Sequence, residues 1–222
     1  MDNRKRKAAV FTGGDLSDTA FYARQLEQTQ PDLVIGVDKG AELLDRLGVT
    51  PDLLVGDFDS IDPKVLKRLS AKGIPTETHP VRKDQTDTEL ALTRVLTVYP
   101  DVIYLYGATG TRLDHMLSSI DAMTIAAEQG VEIHLIDPHN DLSLYKGPQQ
   151  MTLELPAGRT VSLLPLSDTA GPVTIAGFDY PLTDAMLTRR TSGWTVSNVT
   201  TAAPQTIDFD AGWLLVNVVL SE

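Results

Sequence analysis

The chain of 222 residues contains no cysteine. Disulfides and thiolate catalysis are excluded, and the absence fits a reducing cytoplasm, the expected location. Long apolar runs are also missing: a segment such as 214–220 falls far short of a bilayer span, so no membrane partner is expected. Positive charge is scarce, with 19 Lys and Arg against 30 Asp and Glu and a formal net charge of −11. That balance argues against a nucleic-acid partner, because phosphate backbones are held by clustered cations. The basic run Arg4-Lys5-Arg6-Lys7 reads as a solvated N-terminal tail. It leads directly into Ala8–Thr12, too short for the apolar region of a signal peptide, so none is expected. Repeats and low-complexity segments are lacking as well. What remains is an ordinary balance, 42% apolar and 22% charged, long enough for one large domain or two modest ones.

Apolar runs at 8–12, 33–37, 53–55, 74–79, 102–106 and 131–136 predict strands. Most are continuous rather than alternating, as in parallel strands covered on both faces. Helices are predicted between them. Leu43, Leu44 and Leu47 share helical spacing before Gly48. Asp62-Pro63 supplies an N-cap and a first-turn proline for 63–71. Ala91, Val95 and Val98 form a stripe within 86–98, and Leu117, Ile120 and Met123 form another that ends near Gly130. Beyond about residue 140 the pattern changes to short alternating segments at 151–155, 160–164, 173–176, 194–197, 206–209 and 213–220. Turn residues separate these segments. The expected fold is α/β: a doubly wound, mostly parallel sheet domain over 1–139, then an all-β sandwich or jelly-roll-like domain over 140–222.

Five acidic or glycine-rich motifs fall just after a predicted strand and before a helix. They are Gly13-Gly14-Asp15, Asp38-Lys39-Gly40, the 56–60 segment GDFDS, the 83–87 segment KDQTD and the 107–115 segment GATGTRLDH. In an open parallel sheet such loops emerge on one edge, the ligand-binding edge. Carboxylates gathered there call for a cation: two of them ~4 Å apart repel by ~4 kcal/mol at an effective dielectric of 20. A metal–polyphosphate site is the leading reading.

Asp57 and Asp59 alternate on an extended segment and can face one cation. Taken alone, the same pair fits a solvated loop in which Asp59 or Ser60 caps a helix. Asp84 is expected to cap the helix that follows, and Asp87 fits capping or cation binding equally. The 107–115 turn offers backbone N–H groups and the Arg112 fork to anionic oxygens. It matches neither the P-loop nor the dinucleotide fingerprint. His115 beside Asp114 reads as a hydrogen-bonded structural histidine ahead of a catalytic base. Trp194 and Trp213 read as core residues.

Together these motifs resemble the thiamine pyrophosphokinase family. The carrying segments are GVDKGAELL (36–44), GVTPDLLVGDFDSI (48–61), KDQTDTELAL (83–92), GATGTRLDHMLSSI (107–120) and, more weakly, GFDYPLTDAML with TVSN (177–187, 195–198). The resemblance implies transfer of the pyrophosphoryl group of ATP to the hydroxyethyl oxygen of thiamine, giving thiamine diphosphate and AMP. It implies Mg²⁺, with Mn²⁺ as an alternative, on Asp38, Asp57, Asp59 and Asp87, and catalytic roles for Asp57, Asp59 and Asp87. ATP contacts are implied at Gly14, Asp15, Asp38, Lys83, Asp84, Thr109, Gly110, Arg112, Asp114 and His115. Thiamine contacts are implied at Leu187, Thr195, Ser197 and Asn198, in a site shared across a homodimer. Lys39 departs from the Asp-Gly-Gly of many relatives, and Ser118-Ser119 stands where Asn is common. Two other readings stay open: a haloacid-dehalogenase-like phosphatase with Asp57 as nucleophile, and a non-catalytic nucleotide or thiamine sensor.

Overall fold

Between residues 1 and 138, the first of two units, the unalternating apolar runs become strands with little solvent on either face. The computed structural model describes residues 4–190, 192–201 and 204–221. The elements run β1 (Lys7–Phe11), α1 (Thr19–Thr29), β2 (Leu33–Val37), α2 (Gly40–Arg46), β3 (Leu53–Gly56), α3 (Pro63–Ala71), β4 (Thr76–Thr78), α4 (Asp87–Leu96), β5 (Val102–Tyr106), α5 (Leu113–Ala122), α6 (Thr124–Ala127) and β6 (Glu132–Ile136). The strands pair in parallel in the order β4-β3-β2-β1-β5-β6. The chain therefore steps outward from β1 to β4, then crosses back to lay β5 on the other side of β1. That reversal opens a crevice beyond the carboxyl ends of β1 and β5, where ligands of such sheets bind.

Local chemistry explains the helices. Asp62 accepts a hydrogen bond from Lys64 N at 2.7 Å and Pro63 opens α3. Val65 and Leu69, one turn apart, then bury against Ala41, Leu54, Ile61 and Ile74. Truncating Leu69, which is fully buried, would cost about 2–5 kcal/mol. Helix α1 has no counterpart among the predicted helices, and its buried residues are only Phe21, Tyr22 and Thr29. Its start was signalled by Asp18, which caps Phe21 N at 2.9 Å.

Three expectations need correction here. The basic run stays solvent-exposed at residues 4–6 but is tied down instead of trailing as a tail: Arg4 pairs with Asp32, Lys5 Nζ lies 2.7 Å from Glu132 Oε2, and Lys7 starts β1. The 117–120–123 stripe buries only its far end, since Met123 is enclosed while Leu113 and Leu117 are exposed. The cap of α4 is Thr86, not Asp84. Thr86 Oγ1 accepts from Glu89 N at 3.2 Å and Glu89 Oε2 accepts from Thr86 N at 2.6 Å, a reciprocal pair that Thr-x-x-Glu spacing announces.

The second unit, residues 139–222, is built of strands. These are β7 (Asn140–Lys146), β8 (Gln149–Leu153), β9 (Thr160–Pro165), β10 (Thr169–Ala176), β11 (Leu182–Thr188), β12 (Asn198–Val199), β13 (Gln205–Ala211) and β14 (Trp213–Val219). Antiparallel pairing gives the orders β7-β14-β9-β12 and β8-β13-β10-β11. Side chains that alternate inward from the two sheets fill one core, with Val161, Leu163, Leu214 and Val216 meeting Val173, Ile175, Ile207 and Phe209. The predicted 194–197 strand is absent: a 3₁₀ turn over Ser192–Trp194 runs into further turn structure. Neither tryptophan is a core residue. Trp194 is 65% exposed, and Trp213 is partly exposed under the Lys146 ammonium, 5.3 Å from its ring centre. Among the described residues no helix is long and apolar enough to cross a membrane.

Candidate active site

The loops after β1 and β5 are stitched together by their own backbones. Gly14 N donates to Gly107 O at 2.7 Å, Asp15 N to Thr109 O at 2.7 Å, and Thr12 Oγ1 to Gly107 O at 2.6 Å. Glycine is needed for this approach: a Cβ at Gly14 would stand 2.1 Å from Thr109 O. The seam floors a crevice of about 770 Å³ lined in part by Gly14, Asp15, Asp38, Asp87, Thr109, Gly110, Arg112 and His115. Helix α5 starts at its rim without a side-chain cap from Arg112, which leaves the end of a helix dipole facing the space.

At one side of this crevice the turns after β2 and β3 and the first residue of α4 deliver Asp38, Asp57 and Asp87. One carboxylate oxygen from each lies within 4.8 Å of the others. Asp38 takes the left-handed conformation, φ 44°, and its Oδ1 accepts from Phe58 N at 3.0 Å. Burial pushes its carboxyl up to about 6, with Asp87 and Asp57 adding repulsion and the Phe58 N–H opposing the rise. Burial alone would also raise Asp57, but the Asp59 N–H and Lys83 outweigh it and hold that carboxyl below its usual range. Lys83 Nζ sits 2.9 Å from Asp87 Oδ1 and 3.5 Å from Asp57 Oδ2. Burial of the ammonium would lower its pKa, yet Asp87 and Asp57 overcome that and raise it. The Asp87 Oδ1 atom is buried, with the Lys83 ammonium 2.9 Å away. An all-oxygen donor set with such an atom fits a hard divalent cation.

Asp59 stands outside the group of three. It is exposed, its N–H donates to Asp57 Oδ1 at 3.2 Å, and repulsion from Asp57 raises its carboxyl. Among the other residues singled out from sequence, Lys83 belongs with the acids rather than the crevice wall, and Asp84 and Asp114 do not line the crevice. Asp114 instead occupies the Arg112 fork, at 3.3 Å from Nε and 2.6 Å from Nη2. Thr12, Ser60, Thr86 and Thr88 also line the crevice, beyond the residues expected from sequence. Hydroxyls of this kind carry little signal in a chain rich in them.

In the second unit Leu187 is buried in the core. Thr195 is buried with its hydroxyl on Leu163 O. The Asn198 amide accepts from Tyr180 N at 3.1 Å and donates to Tyr180 O at 2.8 Å. The Thr195 and Asn198 side chains fix the turn. Ser197 is exposed, φ 58°, with its N–H on Ser162 Oγ at 3.0 Å. Trp194, Val196, Tyr180 and Met186 add exposed apolar surface in the same unit.

The family model described as "Thiamin pyrophosphokinase, catalytic domain" matches residues 24–135, and "Thiamin pyrophosphokinase, vitamin B1 binding domain" matches 148–214. A thiamine pyrophosphokinase of Bacillus subtilis is 34% identical over 185 residues, 83% of this chain and 86% of that relative. A crystal structure of the Bacillus subtilis thiamine pyrophosphokinase superposes with a TM-score of 0.86 at 29% identity, covering 98% of this chain and 100% of that one. The thiamin pyrophosphokinase from Geobacillus thermodenitrificans gives 0.82 at 30% identity, covering 97% and 98%. Yeast thiamin pyrophosphokinase, at 15% identity, shares the fold with a TM-score of 0.79, covering 98% and 87%.

Proposed function

The chain belongs to the thiamin pyrophosphokinase family and is an enzyme that pyrophosphorylates thiamine, and we propose that ATP is the donor and AMP the second product. The observation that carries this reading is the convergence of Asp38, Asp57 and Asp87 within 4.8 Å beside a glycine-floored crevice. Asp38, Asp57 and Asp87 would hold Mg²⁺ or Mn²⁺. When bound, the cation supplies neutralisation of polyphosphate charge.

The chain's own residues do the rest. The α5 amino end and the Arg112 fork orient phosphate oxygens, once Arg112 exchanges Asp114 for them. In-line attack by the thiamine hydroxyl on the β-phosphorus needs positioning more than covalent assistance. Asp59 suits the proton acceptor: it lies next to Asp57 but outside the cation group, and its carboxyl is raised rather than lowered. Thiamine is assigned to the Thr195–Asn198 turn, with Ser197 and the exposed Trp194 offering the contacts, Thr195 and Asn198 fixing their shape, and Leu187 packed in the core of the same unit. The reading extends to a cytoplasmic homodimer with shared sites, and the exposed apolar surface of that unit supports its self-association.

Phosphorus NMR of the protein with Mg-ATP and thiamine tests the reaction. AMP and thiamine diphosphate signals are expected. Release of inorganic phosphate alone would turn the assignment to the phosphatase, and no change to the sensor.

A further inference from the structure

We propose that Lys83 is a built-in, exchangeable counter-ion. Its ammonium stands in for the divalent cation while the site is empty and gives way when cation and nucleotide arrive together. The inference rests on the cation-site reading above. The Lys83 side chain is only 15% exposed. Its Nζ is held at 2.9 Å from Asp87 Oδ1, 3.5 Å from Asp57 Oδ2 and 3.2 Å from Pro80 O. One amine thus serves two of the three carboxylates that would bind the cation.

An ammonium does this incompletely. It carries one charge against three acids, and it ion-pairs with only two of them, Asp57 and Asp87. A dication among the same oxygens would meet Lys83 Nζ at close range, and the two positive charges repel, so they compete. The four-carbon stem lets the head swing away with no backbone movement. Polyphosphate oxygens then offer the displaced ammonium a new partner, which the bare cation cannot. Lys83 therefore disfavours metal without nucleotide and favours the two together. It is a positioning residue that sets the order of loading.

Manganese titration of the nucleotide-free protein, followed by electron paramagnetic resonance, tests this without turnover. Lys83→Met and Lys83→Gln should each bind Mn²⁺ roughly tenfold more tightly than wild type, whereas Lys83→Arg should stay within about twofold. With Mg-ATP present, the neutral variants should show a raised KM for the nucleotide complex. A merely structural lysine would not tighten metal binding on removal. Neutral variants that bind Mn²⁺ no better than wild type, including no binding at all, overturn the proposal. Asp57→Asn separates the two levels of inference. If it weakens Mn²⁺ binding while the Lys83 variants fail to tighten it, only the counter-ion role falls. If it leaves Mn²⁺ binding unchanged, the cation-site reading falls as well.

Discussion

Gly56 lies so close to Asp38 that a Cβ built on it would stand 1.9 Å from Asp38 Oδ1. The missing side chain at the end of β3 is what lets the Asp38 carboxylate turn toward Asp57 and Asp87. Gly56 also holds φ +144°, a conformation that an L side chain rarely adopts. Gly56→Ala should therefore displace Asp38 and strain the loop together. The expected loss is at least about 2 kcal/mol in denaturant unfolding, with activity reduced beyond what the remaining folded fraction explains. Wild-type activity per folded molecule would show that Asp38's position is not needed.

Asp38 also sets a pH dependence. Its carboxyl titrates at about 6 in the folded chain against an ordinary 3.8, so the folded state holds the extra proton between those values. Stability contributed by this group therefore falls as pH rises from about 4 to 6, and the cost is complete above that. Asp38→Asn, measured with a chelator present, should be more stable than wild type at pH 7–8 by about 1 kcal/mol, a figure discounted for solvent access. The gain should vanish below pH 4. A gain that persists at pH 3.5 would point to packing instead of charge.

Asp57 and Asp59 should separate. Asp57→Asn removes a member of the cation group and should lose at least ~3 kcal/mol of transition-state stabilisation, roughly 100-fold in rate, with metal affinity weakened. Its carboxyl is depressed in the fold, so stability at neutral pH should drop slightly, by less than about 1 kcal/mol. Asp59→Asn should slow turnover while leaving Mn²⁺ affinity near wild type. Equal loss of metal binding in both variants would return Asp59 to the cation group.

Arg112 is poised but engaged. Its fork on Asp114 must open to reach phosphate, so Arg112→Ala should raise the ATP requirement and leave nucleotide-free thiamine binding unchanged. Arg112→Lys should rescue only part of the loss, because a point charge lacks the fork. Full rescue by lysine would reduce the residue to diffuse charge.

The proposed shared site makes a complementation test. An Asp57→Asn chain and a Ser197→Trp chain should each be inactive alone. The purified mixed dimer should contain one doubly damaged site and one intact site, and so recover up to about half of wild-type activity. An inactive mixed dimer, or an active monomer in sedimentation, would mean that thiamine is held within one chain.

Much of the first unit could be read from residue order. Unbroken, β-branched runs such as LVIGV and VIYLY bounded by turn residues read as strands covered on both faces, and Asp62-Pro63 opens α3 where capping chemistry favours it. Helix α1 carries little signal because its buried residues are few, and Asp84 drew the cap assignment because carboxylates suit a helix start, although Thr86 with Glu89 three residues on is the pair that caps α4. In the second unit the aromatic at Trp194 misled. Burial of tryptophan is a tendency of composition, and nothing local in TSGWTVSN says that the turn faces water.

The spacing of acids and glycines by itself determined which loops bear chemistry, because strand periodicity and loop position are local properties of the chain. Which acids converge was decided only by the tertiary structure. Asp59, two residues from Asp57, stays outside the group, while Asp38 and Asp87, far apart in sequence, join it. Lys83 could be read as a phosphate ligand from its neighbours alone, and only the packed loops show its ammonium among the carboxylates. Close approach depends on backbone conformation at Asp38, Gly56 and Phe58. Those torsions are chosen by the contacts of the whole sheet edge, not by the residues that adopt them.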